Sequence, residues 1–206
     1  MSGKTPSAGK TSTKQIEFYM SSSKELHKMT LKQLGQLFPI IIQDYSDKWP
    51  DFYRSERKRI IDSFLQSDIV RIDHIGSTAI PGLKAKPTID ILLQISEQID
   101  IHKIKRVFKS LGYHINERPE NPPPHLTFVK GYTKHGIKGQ SYHIHIRYKG
   151  DWNEIRFRDY LIGHKEIAKD YENLKLELAN KYRNDREAYT NSKTNFIEKI
   201  NKLTQK

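Results

Sequence analysis

Cysteine is absent from this 206-residue chain. Its absence excludes a disulfide framework, a thiolate metal site and a cysteine nucleophile. No apolar run approaches the roughly 20 residues that a membrane-crossing helix requires. Apolar side chains are few: hydrophobic residues make up 35% and mean hydropathy is −0.76, so a polar chain with no membrane partner is expected. Acidic residues are also in short supply, 24 against 36 Lys and Arg, which leaves a net charge of +12. A charge this basic attracts polyanions, whether nucleotides, RNA, DNA or an anionic membrane. The lysines are spread along the whole chain, however, so charge alone does not favour nucleic acid as the partner. Residues 1–14, MSGKTPSAGKTSTK, lack Arg, periodicity and the apolar core of a secretory signal. The expectation is a disordered or weakly structured basic tail over 1–30 and one domain over 31–206. A reducing cytoplasm suits the composition and is the expected location.

What is there is organised around Arg71–Ile95, RIDHIGSTAIPGLKAKPTIDILLQI. The pattern predicts a short strand ending at Ile75, a sharp Gly-Ser turn, a basic loop and a second strand. Gly76 lets backbone approach a ligand with no Cβ in the way, and Ser77 and Thr78 offer hydroxyls and N–H groups suited to phosphate. Pro81-Gly82 interrupts any long helix, and Lys84 and Lys86 add positive charge. From Thr88 to Ile95 the side chains alternate across a sheet. Ile89, Ile91, Leu93 and Ile95 form one apolar face that must be buried. Thr88, Asp90, Leu92 and Gln94 share the other, and Asp90 is expected as a carboxylate on its open side.

Upstream, Ile40–Ile42 reads as a strand, Trp49-Pro50 as a turn and Phe52–Leu65 as a helix. Downstream, Ile101–Leu111 reads as a helix stopped by Gly112. Strands are expected over Tyr113–Arg118, His125–Lys130 and Ser141–Tyr148, with a stiff PENPPP loop and a Gly-rich hairpin, GYTKHGIKGQ, between them. In the last strand Tyr142, Ile144, Ile146 and Tyr148 face one way, and His143, His145 and Arg147 the other. Two imidazoles two apart on a strand point the same way and can ligate one ion or touch one phosphate. Polar residues alternating with an apolar face produce the same pattern without a site. From Asp151 onward Ile155, Tyr160, Ile167, Tyr171, Leu174, Leu178 and Tyr182 recur at helical steps.

The run HIGSTAIPGLKAKPTIDIL resembles the signature of the GrpB-like family, which is similar to the nucleotidyltransferase superfamily. FRDYL, DYENLKLELANKY and DREAYTNSKTNFIEKI resemble that family's C-terminal helices, and the likeness spans residues 38 to 204. The resemblance implies an α+β domain: a small mixed sheet of the nucleotidyltransferase kind packed on helices, with a helical C-terminal layer. It also implies a metal-dependent transfer of a nucleoside monophosphate from an NTP to an acceptor. In that chemistry Gly76, Ser77 and Thr78 hold phosphates, and Lys84, Lys86, Arg156 and Lys193 neutralise the triphosphate. Asp90, His143 and His145 hold a divalent ion, with Asp90 and His145 catalytic. The superfamily carries an acidic pair on the second strand; here the position that would complete it is Leu92, or Thr88 in the other register. One carboxylate with imidazoles suits Mn²⁺, Zn²⁺ or Ni²⁺ better than Mg²⁺. The missing acid equally fits a non-catalytic accessory module that binds a nucleotide or CoA-like ligand. Net charge alone supports a third reading, a basic RNA-binding protein.

Overall fold

The computed structural model describes residues 25–26, 28–116 and 124–205. Most of the tail expected over 1–30 and most of the PENPPP loop lie outside the described residues. Thr30 opens helix α1 (Leu31–Leu37) with a reciprocal cap: its hydroxyl accepts from Gln33 N, and the Gln33 side chain accepts from Thr30 N. Ile40–Ile42 is not a strand; Ile40 N donates to Arg183 O, and the residue after the segment, Gln43, makes an isolated bridge to Ala85. Trp49-Pro50 is not a turn but the start of α2 (Trp49–Ile61). Proline is tolerated there because first-turn N–H groups have no helical acceptor.

The sheet follows. Strand β1 (Ile69–Ile75) leads through the Gly76 bend and a short 3₁₀ turn, Ser77–Ala79, to β2 (Thr88–Ile95). Helix α3 (Ile101–Ser110) is capped by the Asp100 carboxylate, which accepts from His102 N at 2.8 Å. Strands β3 (His114–Asn116), β4 (Thr127–Thr133) and β5 (Gly136–Tyr148) complete the sheet. Most of the expected hairpin connection is itself strand, so the tight turn is only Lys134-His135. Strand order is β1-β2-β5-β4-β3, with β2 and β5 parallel and the other neighbours antiparallel. It is a mixed five-stranded sheet, and the domain is α+β.

Alternation along β2 decides the layers. Ile89, Ile91, Leu93 and Ile95 are fully buried with Ile144, Ile146 and Phe128 against Trp49 and Ile60 of α2 and Ile104 and Phe108 of α3. Each such side chain contributes roughly 2 kcal/mol by leaving water. The opposite face is covered too, although alternation alone leaves it open. Leu92 is 0% exposed, packed with Ile75 against Ile155, and Gln94 is buried as well. The cover is the C-terminal layer: α4 (Asn153–Gly163), α5 (Lys165–Lys181), α6 (Arg186–Asn191) and α7 (Thr194–Thr204). Phe157, Leu161, Tyr171 and Ile200 of this layer close over Ile80 and Leu83 of the basic loop. Among the described residues no helix is long and apolar enough to cross a membrane.

Candidate functional site

The parallel pairing of β2 and β5 sets Asp90 opposite His143 and Leu92 opposite His145. Alternation then turns Asp90, His143 and His145 to one face. Asp90 Oδ1 lies 3.3 Å from His143 Nδ1 and 3.5 Å from His145 Nε2. One ligand atom from each falls within 4.8 Å of the others, close enough to share one ion. All three are half-buried. The far nitrogen of His143, Nε2, is 2.8 Å from the Tyr132 hydroxyl, which orients the ring.

Burial opposes ionisation of Asp90, but hydrogen bonds from His143 and His145 outweigh it and hold the carboxyl well below the usual range. Burial lowers His143, against the pull of Asp90, so its ring is neutral at pH 7 and has a lone pair to offer a metal.

The glycine bend meets the aspartate. Gly76 has φ 68° and ψ −171°, and a Cβ built there would lie 2.6 Å from Asp90 Oδ2. Only glycine leaves room for that approach. Burial pushes the phenol of Tyr171 in α5 up, and the Ser77 side chain faces it closely enough to lower it. Thr78 is turned inward: its hydroxyl is 3.0 Å from His74 Nε2 and donates to Thr88 O at 3.0 Å, tying the bend to the start of β2.

Of the four expected cations, two join this group and two do not. Lys86 and Lys193 flank the Tyr189 ring, with Nζ 5.7 and 4.4 Å from its centroid. Lys84 pairs with Asp44 at 2.6 Å, and its side chain is 42% exposed. Arg156 is held by Asp151 and Asn153 at the start of α4. Lys84 and Arg156 are thus engaged away from the carboxylate, by Asp44 upstream and by the helix end respectively.

Arg186, which the sequence pattern did not single out, completes the group. Its guanidinium stands 5.8 Å from the centroid of the Tyr132 ring. It also donates to Phe38 O at 2.9 Å. A signal is present in the sequence: Arg186, Tyr189 and Lys193 are spaced i, i+3, i+7. Tyr132, Tyr171 and Tyr189 escape notice as site residues because an apolar ring with a polar tip reads as core.

The GrpB family pattern, described as GrpB protein, matches residues 39–203. The chain belongs to the GrpB family. It is 35% identical over 168 residues to the "Glutamate-rich protein GrpB" of Alkalihalophilus pseudofirmus, covering 78% of this chain and 93% of that one. It is 36% identical over 154 residues to a UPF0157 protein of Pseudomonas aeruginosa, covering 74% of this chain and 62% of that one. The crystal structure of GrpB from Enterococcus faecalis is similar, with a TM-score of 0.65 at 28% identity, covering 80% of this chain and 96% of that chain. The Gly76 bend and Asp90 lie inside the matched span.

Proposed function

We propose that this GrpB-family chain is a metal-dependent, nucleotidyltransferase-like enzyme that moves a nucleoside monophosphate from an NTP to an acceptor hydroxyl. The observation that carries the reading is the meeting of Asp90, His143 and His145 at one point against the Gly76 bend. The donor set, one carboxylate oxygen and two imidazole nitrogens, fits Mn²⁺ or Zn²⁺ better than Mg²⁺. Bound there, a divalent ion supplies Lewis-acid polarisation of a phosphoryl oxygen.

The chain's own residues do the rest. Without metal, His143 Nδ1–H donates to Asp90 and the Tyr132 O–H donates to Nε2. Were Nδ1 to hold a metal ion, Nε2 would carry the proton and donate to the Tyr132 oxygen. The Gly76-Ser77 bend offers backbone N–H groups to phosphate. Lys86 and Lys193 stand beside it to neutralise negative charge on the leaving group. His143 is committed to Tyr132; where Asp90 and His143 hold the ion, His145 keeps its lone pair and is the imidazole placed to take the acceptor's proton, whereas as a third ligand it would have none to give.

A second reading, a nucleotide- or CoA-like-ligand-binding module without turnover, is favoured by Leu92. That position carries no acid and is sealed among Ile75 and Ile155. One experiment separates the two. The protein is titrated with Mn²⁺ or Zn²⁺, incubated with each NTP and assayed for pyrophosphate. Metal-dependent release abolished in Asp90→Asn supports the transferase. NTP binding without release supports the module. Binding only to RNA, lost steeply with salt and indifferent to Asp90→Asn, defeats both.

A further inference from the structure

We infer that Lys86, Arg186 and Lys193 form a diphosphate clamp that binds its anion without metal, beside the Asp90 centre but chemically separate from it. The inference rests on reading the pocket as a phosphate-ester site, and it names what that site holds.

The first observation is charge without counter-charge. Among the described residues no carboxylate lies within ion-pair distance of Lys86, Arg186 or Lys193. Elsewhere in the chain most buried or half-buried cations are matched, Lys130 by Glu56, Arg158 by Asp73 and Arg147 by Glu154; Lys175, which has no ion pair among the described residues, donates instead to Lys84 O. The one acid that acts on Lys86 and Lys193 is Asp90, and both its neighbouring imidazoles already compete for it. With all three protonated, three cations against one carboxylate leave an excess of two positive charges, which rises when a divalent ion binds.

The second observation is the framework. The three side chains come from separate places: the loop before β2, the start of α6 and the turn before α7. All are drawn together by two tyrosine rings. Lys86 and Lys193 share Tyr189, which is 1% exposed. Arg186 sits on Tyr132, whose hydroxyl touches His143. The rings hold the cations in place by cation–π attraction while leaving their polar ends unneutralised. Like charges brought this close repel one another, so folding leaves the clamp unsatisfied. Burial, then Arg186 and Lys193, push Lys86 down to about 7, and burial pushes Lys193 down to about 8. An anion with two or more charges relieves both the repulsion and the burial. Arg supplies a forked donor and Lys two point donors, a set suited to adjacent phosphate groups.

The test uses inorganic pyrophosphate, the full chain and chelator-treated protein, read by calorimetry. The expected result is binding without metal that weakens with salt. Arg186→Met or Lys193→Met weakens it tenfold or more. Asp90→Asn leaves it unchanged or tighter, because a competing negative charge is gone. Lys84→Met and Arg156→Met leave it unchanged. Loss of repulsion keeps Lys86→Met and Lys193→Met folded, with melting temperatures at or above that of the parent chain. No binding of pyrophosphate at millimolar concentration overturns the inference. So does equal weakening by Lys84→Met, or tighter binding of orthophosphate than of pyrophosphate. Failure of the proposed transferase looks different: Asp90→Asn then retains metal, or no NTP turns over, while pyrophosphate still binds the clamp.

Discussion

Replacing Gly76 by alanine probes the contact on which the candidate site depends. Gly76 occupies a backbone region essentially confined to glycine, with φ 68° and ψ −171°, and placing alanine there costs about 1–3 kcal/mol. The new Cβ would also lie 2.6 Å from Asp90 Oδ2 and 3.2 Å from Asp90 Cγ. Overpacking of this kind adds about 1–3 kcal/mol. A mid-range total of about 4 kcal/mol lowers the melting temperature of a chain this long by roughly 8–16 °C. Two controls isolate the contact. Gly82 also has a positive φ, 78°, but a Cβ added there would meet nothing within 4 Å, so Gly82→Ala loses only the backbone part, about 1–2 kcal/mol. In an Asp90→Ala background the carboxylate is gone and only the Cβ of residue 90, 3.1 Å from the new one, stays close, so Gly76→Ala should lose its backbone part and little more. Thermal melts of the four chains in the cycle give the coupling directly. An equal loss in both backgrounds would refute the contact, and with it the site.

Four further outcomes are expected. Tyr132→Phe removes the hydroxyl that orients His143 and weakens Mn²⁺ or Zn²⁺ binding about 10–100-fold with the fold retained; unaltered affinity in a metal titration counts against the centre. Leu92→Asp, which restores an acid at the second position, destabilises by at least about 3 kcal/mol in urea melts, because Leu92 is 0% exposed and packed among Ile75 and Ile155, where a carboxylate is desolvated. Glu56 accepts from Tyr113 at 2.8 Å and from Arg59 and Lys130; Glu56→Ala leaves Lys130 an uncompensated buried cation and loses about 3–5 kcal/mol, much of it recovered in the Glu56→Ala, Lys130→Met double variant. Burial lowers Lys86 and Lys175 to about 7 and Lys130 and Lys193 to about 8. Between these values and the ordinary lysine range the unfolded chain binds more protons than the native one, so stability rises with pH from about 7 to 10. Melting temperatures that fall over that range at constant ionic strength would contradict the lowering of these buried lysines, and saturating pyrophosphate should remove the share of the rise due to Lys86 and Lys193.

Much was determined by the sequence alone. The strict alternation of Ile89, Ile91, Leu93 and Ile95 has one physical outcome in water, a buried strand face, and the structure buries all four. The His-x-His alternation put His143 and His145 on one face for the same reason, and the Gly-Ser bend and Asp90 were legible as local chemistry. What sequence could not decide was everything set by contacts between distant segments. Alternation says that Leu92 and Gln94 face away from the core, but not that α4 and its neighbours cover them. Trp49-Pro50 reads as a turn from local preference, yet a helix start tolerates the same pair. Charge counting cannot tell Lys86 and Lys193 from Lys84 and Arg156. Which cations lack a partner depends on which acids the fold brings near, and Asp44 and Asp151 are brought to the latter two. Arg186 enters only because the C-terminal helices fold back over the sheet, where two tyrosine rings hold it and both lysines beside the single carboxylate.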